Sequence, residues 1–112
     1  MLAGLRELQE EGEPDILHEL IELFLTEVPS QLVVLREAAV ANDADSVKRI
    51  AHTLKGSCGN MGAVSMGAIC AELEEIGRSE DLAVAPARIS NLEEEFGRVR
   101  AVFEKELSKT WK

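Results

Sequence analysis

An all-α fold is predicted: an antiparallel up-down four-helix bundle with a short N-terminal capping helix, spanning residues 1–112 as a single domain. Three observations predict it. Apolar residues recur three and four apart in four long stretches, the spacing of one face of an α-helix. Leu, Ala and Glu outnumber the β-branched residues, aromatics are only 4% and tyrosine is absent, which favours helix over strand. Short turn signals rich in Gly, Pro, Asn and Asp separate the stretches, and short links join antiparallel neighbours. At 112 residues, 46% of them apolar, the chain suits one modest core rather than disorder.

Residues 2–10, with Leu2, Leu5 and Leu8 between charges, read as the short capping helix, ended by Gly12. Pro14 opens the next helix, expected to reach about Ala41 with the stripe Leu17, Leu20, Ile21, Phe24, Val28, Leu32, Leu35 and Ala39. Pro29 removes a backbone donor within it, so a kink or brief break is expected there. Ile16, Leu20 and Leu23 form a second, narrower apolar stripe, either covered by the capping helix or offered to a partner.

Asn42 and Asp43 make a turn and an N-cap for a helix over about 43–60, which Gly62 ends in the left-handed conformation. A further helix over about 63–76 carries Met66, Ile69, Leu73 and Ile76 and is expected to stop at Gly77. A polar loop over 77–84 follows. Pro86 then stands in the first turn of a last helix, with Ile89, Leu92, Phe96, Val99, Phe103 and Leu107 on one face. Isolated helices of these lengths would be marginal in water, so mutual burial of the four stripes holds the fold.

The third of these helices carries the candidate chemistry. At roughly 100° per residue, Val47, Ile50, Ala51, Leu54, Cys58 and Met61 gather on a core-facing stripe. His52 falls roughly 150° from the middle of that stripe, so its imidazole points to water. Lys48, Arg49, Lys55 and Gly56 are its neighbours on the wet side, with Gly59 a further turn on. Each of the two glycines costs about 1 kcal/mol relative to alanine in a helix. On an exposed face they leave room for another molecule to come close. The local picture is an exposed imidazole, a cationic rim and a cleared landing area.

The run His52-Thr53-Leu54-Lys55-Gly56-Ser57, followed by Gly62-Ala63, resembles the signature of histidine-containing phosphotransfer (HPt) domains. Phe24-Leu25 before a proline, Asn42-Asp43, and Cys70-Ala71-Glu72-Leu73-Glu74 agree more loosely, so the resemblance covers almost the whole chain. It implies that Nε2 of His52 takes a phosphoryl group from a receiver-domain aspartate and passes it to another receiver. Receiver domains of response regulators or hybrid histidine kinases are the implied partners. Lys55, one turn on, would balance the phosphoryl charge and Gly56 would give the group room, with Lys48, Arg49 and Gly59 facing the partner. Any Mg²⁺ would sit on the receiver, and no cofactor of the chain's own is implied.

Other features bound the function. The formal net charge of −9 argues against nucleic acid and against an anionic membrane surface. The sequence has no glycine-rich nucleotide loop and no kinase motif set, so a relay station is expected rather than an ATP-using enzyme. A bundle-held metal pair would need two inward Glu-x-x-His pairs, and the sequence has none. A bundle of the same fold used only for phosphorylation-independent docking or dimerisation is the alternative. The HPt-like signature argues against it, because a retired site has no need of costly outward glycines.

No apolar run is long enough to span a bilayer, and Arg6, Glu7, Glu10 and Glu11 interrupt any secretory apolar core, so a cytoplasmic location is expected. Cys58 and Cys70 fall on core stripes either side of a tight turn, as free buried thiols or as a disulfide. The Glu72, Glu74 and Glu75 run reads as a solvated face, and His18 as a surface histidine.

Overall fold

The computed structural model describes residues 14–109, and the capping helix expected over 2–10 lies outside them. Four helices fill that span: α1, Pro14–Val40; α2, Ala44–Met61; α3, Val64–Ser79; and α4, Ala85–Lys109. Each packs on the two helices beside it, α1 on α2, α2 on α3, α3 on α4 and α4 back on α1. This closed square, joined by short links, is the up-down four-helix bundle. It is a rod of 48 × 19 × 17 Å.

The predicted stripes make the core. Leu17, Ile21, Val28 and Leu35 of α1, Val47, Ala51, Leu54 and Cys58 of α2, Met66, Cys70 and Leu73 of α3, and Ile89, Leu92 and Phe103 of α4 are fully or almost fully buried. Phe24 bridges α1 and α4, with ring centroids 6.1 Å from Phe96 and 5.5 Å from Phe103. Towards the other end of the same pair, Arg36 clamps Glu93 through two nitrogens and also reaches Ser90. The contacts run in opposite senses along the two helices, so α1 and α4 are antiparallel.

The turns behave as local chemistry requires. Asn42 takes φ 58° and Asp43 caps α2, accepting from the Ser46 amide at 3.2 Å and the Ser46 hydroxyl at 2.7 Å. That hydroxyl bond, made by the ionised side chain, holds the Asp43 carboxyl below its ordinary range. Gly62 ends α2 at φ 72°, and the Ala63 amide returns to the Cys58 carbonyl at 2.9 Å.

Three boundaries differ from expectation. The assignment of α1 runs unbroken through Pro29, because burial of Val28 and Leu32 on either side holds both halves on the core. Helix α3 does not stop at Gly77 but continues to Ser79, where Glu80 takes the left-handed turn at φ 67°. The loop is correspondingly short, 80–84, and Leu82 within it is buried rather than solvated.

Gly77 has another use. It is buried against α2, and a Cβ there would lie 2.6 Å from the Lys48 nitrogen and 2.9 Å from the Ala44 carbonyl oxygen. Only glycine lets the two backbones come this close. The α2–α3 seam is accordingly the most extensive helix contact of the bundle.

Candidate functional site

Helix α2 presents His52 outward, as the wheel predicts, with 69% of its side chain exposed. The residues before and after it on the stripe, Ala51 and Leu54, are fully buried and lock the rotation of the helix. Lys48, Arg49 and His52 line one groove over the α2–α3 seam, together with Asp45, Thr53, Glu74 and Arg78.

Glu74 of α3 is the residue the sequence reading missed. It is 8% exposed, not on a solvated face, because Cys70, Leu73 and Gly77 around it all turn inward on α3. Its Oε2 lies 3.0 Å from Nδ1 of His52 and 3.3 Å from Nη2 of Arg78. Its Oε1, itself buried and without a well-aligned hydrogen bond, faces the Lys55 ammonium at 2.7 Å. One carboxylate therefore sits among three nitrogen partners from two helices. Lys55 first, and His52 after it, hold the Glu74 carboxyl below its ordinary value of 4.5, against the opposing effect of burial.

This arrangement assigns the imidazole tautomer. An ionised carboxylate only accepts, so Nδ1 of His52 carries the proton and donates it to Oε2. In the neutral form of this tautomer the lone pair lies on Nε2. A carboxylate behind one nitrogen and solvent before the other is the disposition of a positioned nucleophile.

The remaining predicted residues fall around this centre. Lys55 is half-buried and held on Glu74 rather than standing free beside the ring. Arg49 lines the groove and donates to the Ser46 hydroxyl at 3.0 Å, and Arg78 also reaches Glu75 at 3.5 Å. Gly56 and Gly59 lie exposed on α2, and a methyl group at either would meet nothing within 4 Å. Gly97 of α4 is equally open, so openness alone does not mark a site. What distinguishes Gly56 is its place one turn from His52. Neither Gly56 nor Gly59 is among the residues that line the groove.

Ser57 and Asn60 belong to a different depression, shared with Leu20, Leu23, Phe24 and Met61 between α1 and α2. Leu23 there is 54% exposed, while Ile16 and Leu20 are half-buried. Cys58 and Cys70 are free thiols, both buried in the seam. A hydrogen bond between them and burial push the Cys70 thiol well above the usual range. Among the described residues, no group of three or more His, Cys, Asp or Glu side chains is disposed to hold a metal ion. None of the described helices is long and apolar enough to cross a membrane.

Comparison with known proteins gives a consistent picture. The family model described as "Hpt domain" matches residues 19–102. Among solved structures, the chain is similar to histidine-containing phosphotransfer protein B (HptB) from Pseudomonas aeruginosa PAO1. The two share 38% sequence identity with a TM-score of 0.86, over 94% of this chain and 90% of that one. A search of curated proteins found no match.

Proposed function

The chain belongs to the Hpt domain family, and on that premise we propose that it relays a phosphoryl group through Nε2 of His52 between the aspartates of two receiver domains. One observation carries the reading. Nδ1 is tied to the buried Glu74 carboxylate at 3.0 Å while most of the ring stands in solvent, which leaves Nε2 as the nucleophile.

Phosphoryl transfer needs positioning and charge compensation more than covalent machinery. Glu74 fixes the ring's tautomer and aim. Lys55, Lys48, Arg49 and Arg78 gather positive charge around His52 on a chain whose net charge is −9, which favours an anion here. The bare surface at Gly56 admits the phosphoryl group and the edge of the receiver.

Receiver domains of response regulators or hybrid kinases are the partners in this reading. They bring the aspartate and its Mg²⁺, and the chain acts as a phosphotransfer intermediate rather than a kinase. A cytoplasmic setting, in which Cys58 and Cys70 stay reduced, belongs to the same proposal.

Incubation with a panel of phosphorylated receivers tests it. The expected product is an acid-labile, base-stable label on the chain, absent from His52→Gln, whose helical content is unchanged. A label that persists in His52→Gln contradicts the assignment.

A further inference from the structure

The phosphotransfer reading leaves one question: what becomes of the Nδ1 proton once His52 is phosphorylated. We propose that Glu74 retains that proton on the ring through both transfers and takes up the ring's new positive charge in exchange for that of Lys55.

The Nε2 lone pair attacks the phosphorus of the donor aspartyl phosphate, and the P–O bond to the donor carboxyl breaks, its electron pair leaving with that carboxylate. The ring now bears phosphorus on Nε2 and hydrogen on Nδ1, and so one positive charge. On the return step an acceptor carboxylate oxygen attacks phosphorus, the N–P bond breaks, and its electron pair goes back to Nε2. The neutral ring with its Nδ1 proton is regenerated. Neither step needs a proton to enter or leave. Were Nδ1 to lose its proton to water in between, the N–P bond would have to break towards an anionic imidazolate, a far poorer leaving group.

Glu74 is placed to prevent that loss. Its Oε2 already receives the Nδ1 proton at 3.0 Å. A carboxylate this close is a charge partner for the cationic phosphorylated ring, whereas an amide would orient the ring without stabilising its charge. The other charges facing the pair make this stabilisation necessary. From α2 come Lys48, Arg49 and Lys55, opposed by Asp45. From α3 comes Arg78, partly offset by Glu75 at 3.5 Å. From α1, Glu27 lies beyond, in the depression with Ser57 and Asn60. Like charges from these cations oppose a positive charge on the ring, and the Glu74 carboxylate is the group that faces it at hydrogen-bond distance.

Lys55 completes the exchange. Before transfer its ammonium lies 2.7 Å from Glu74 Oε1. A phosphoryl group on Nε2 adds two negative charges one helical turn away, within reach of its flexible stem. Lys55 moves to the phosphoryl oxygens as the ring becomes cationic, so the carboxylate exchanges one cation for another. Arg78, at 3.3 Å from Oε2, keeps the carboxylate in place meanwhile. Glu74 is thus a positioning residue for the relay, acting through His52.

The test measures return of label from the phosphorylated chain to fresh receiver, between pH 6 and pH 9, for wild type and Glu74→Gln. We expect the two rates to agree at the acid end and to diverge with rising pH. Glu74→Gln should fall behind by roughly tenfold or more at the alkaline end. Parallel profiles overturn the proposal. If Glu74→Gln does not fold, ³¹P NMR of phosphorylated wild type decides, by comparing the pH at which the ring deprotonates in the folded chain and in urea. A higher value in the folded chain supports the proposal and coincident values overturn it. Failure of wild type to take label at all overturns the phosphotransfer reading itself, and this proposal with it.

Discussion

Nδ1 of His52 and Oε2 of Glu74 meet 3.0 Å apart across the α2–α3 seam, although 22 residues separate them in the chain. The contact depends on how closely the two helices run. One turn further along α3, Gly77 rests on the α2 backbone at Lys48, and further the other way Cys70 meets Cys58. The register of the whole seam sets the aim of one imidazole.

Gly77→Val therefore has two expected effects. A side chain at this position collides with backbone rather than with a flexible tip, so the bundle loses about 1–3 kcal/mol in urea denaturation. The helices part, and phosphotransfer falls further than the loss of folded protein accounts for. A variant as stable as wild type would show that close approach here is not required.

Gly56→Ala is expected to move stability and activity in opposite directions. No atom stands within 4 Å of the added methyl group, so the helix gains up to about 1 kcal/mol. Transfer to and from a receiver is expected to slow, because the methyl group projects from the exposed face one turn from His52, where the partner must close. Thermal unfolding and transfer rates on the same preparation check both, and unchanged transfer would deny the glycine its role.

The acid limb of stability carries a mark of Glu74. Its carboxyl lies below the ordinary value of 4.5 in the folded chain, so it binds its proton less readily than in the unfolded chain. Its contribution is complete above that ordinary value and is lost as pH falls through the lower folded value. Asp43, depressed in the same direction by Ser46, behaves alike at the cap of α2. Urea midpoints at pH 7 and pH 3 should show wild type and Glu74→Gln far closer together at pH 3. A constant gap would mean that the charge of Glu74 adds nothing.

Lys55→Ala removes the cation on the buried Oε1 of Glu74 and the cation meant for the phosphoryl group. Transfer should fall roughly tenfold or more, of the order expected for losing one charge-assisted contact, with partial rescue in Lys55→Arg. Equal rates in all three proteins would exclude Lys55 from the reaction.

The legible parts of the fold were those written in local chemistry. Asp43 as a cap, Gly62 as a left-handed terminus and the four apolar stripes are signals contained within a turn or two of helix. His52 was legible for the same reason, since its outward angle follows from the stripe of its own helix. Glu74 was not, because its meaning depends on which face of α3 meets α2. One signal was available: with Cys70, Leu73 and Gly77 it completes a run spaced three and four apart, which places an acid on the inward face. Gly77 was misread because glycine marks both helix ends and close contacts, and only the neighbouring helix distinguishes them.

The most direct test of the account is to locate the phosphorus atom. ¹⁵N–³¹P NMR of the chain, labelled at histidine and phosphorylated by a receiver, should show one N–P bond, at Nε2 of His52, with a proton on Nδ1. Phosphorus on Nδ1 of His52, or on His18, would contradict the geometry from which the function is argued.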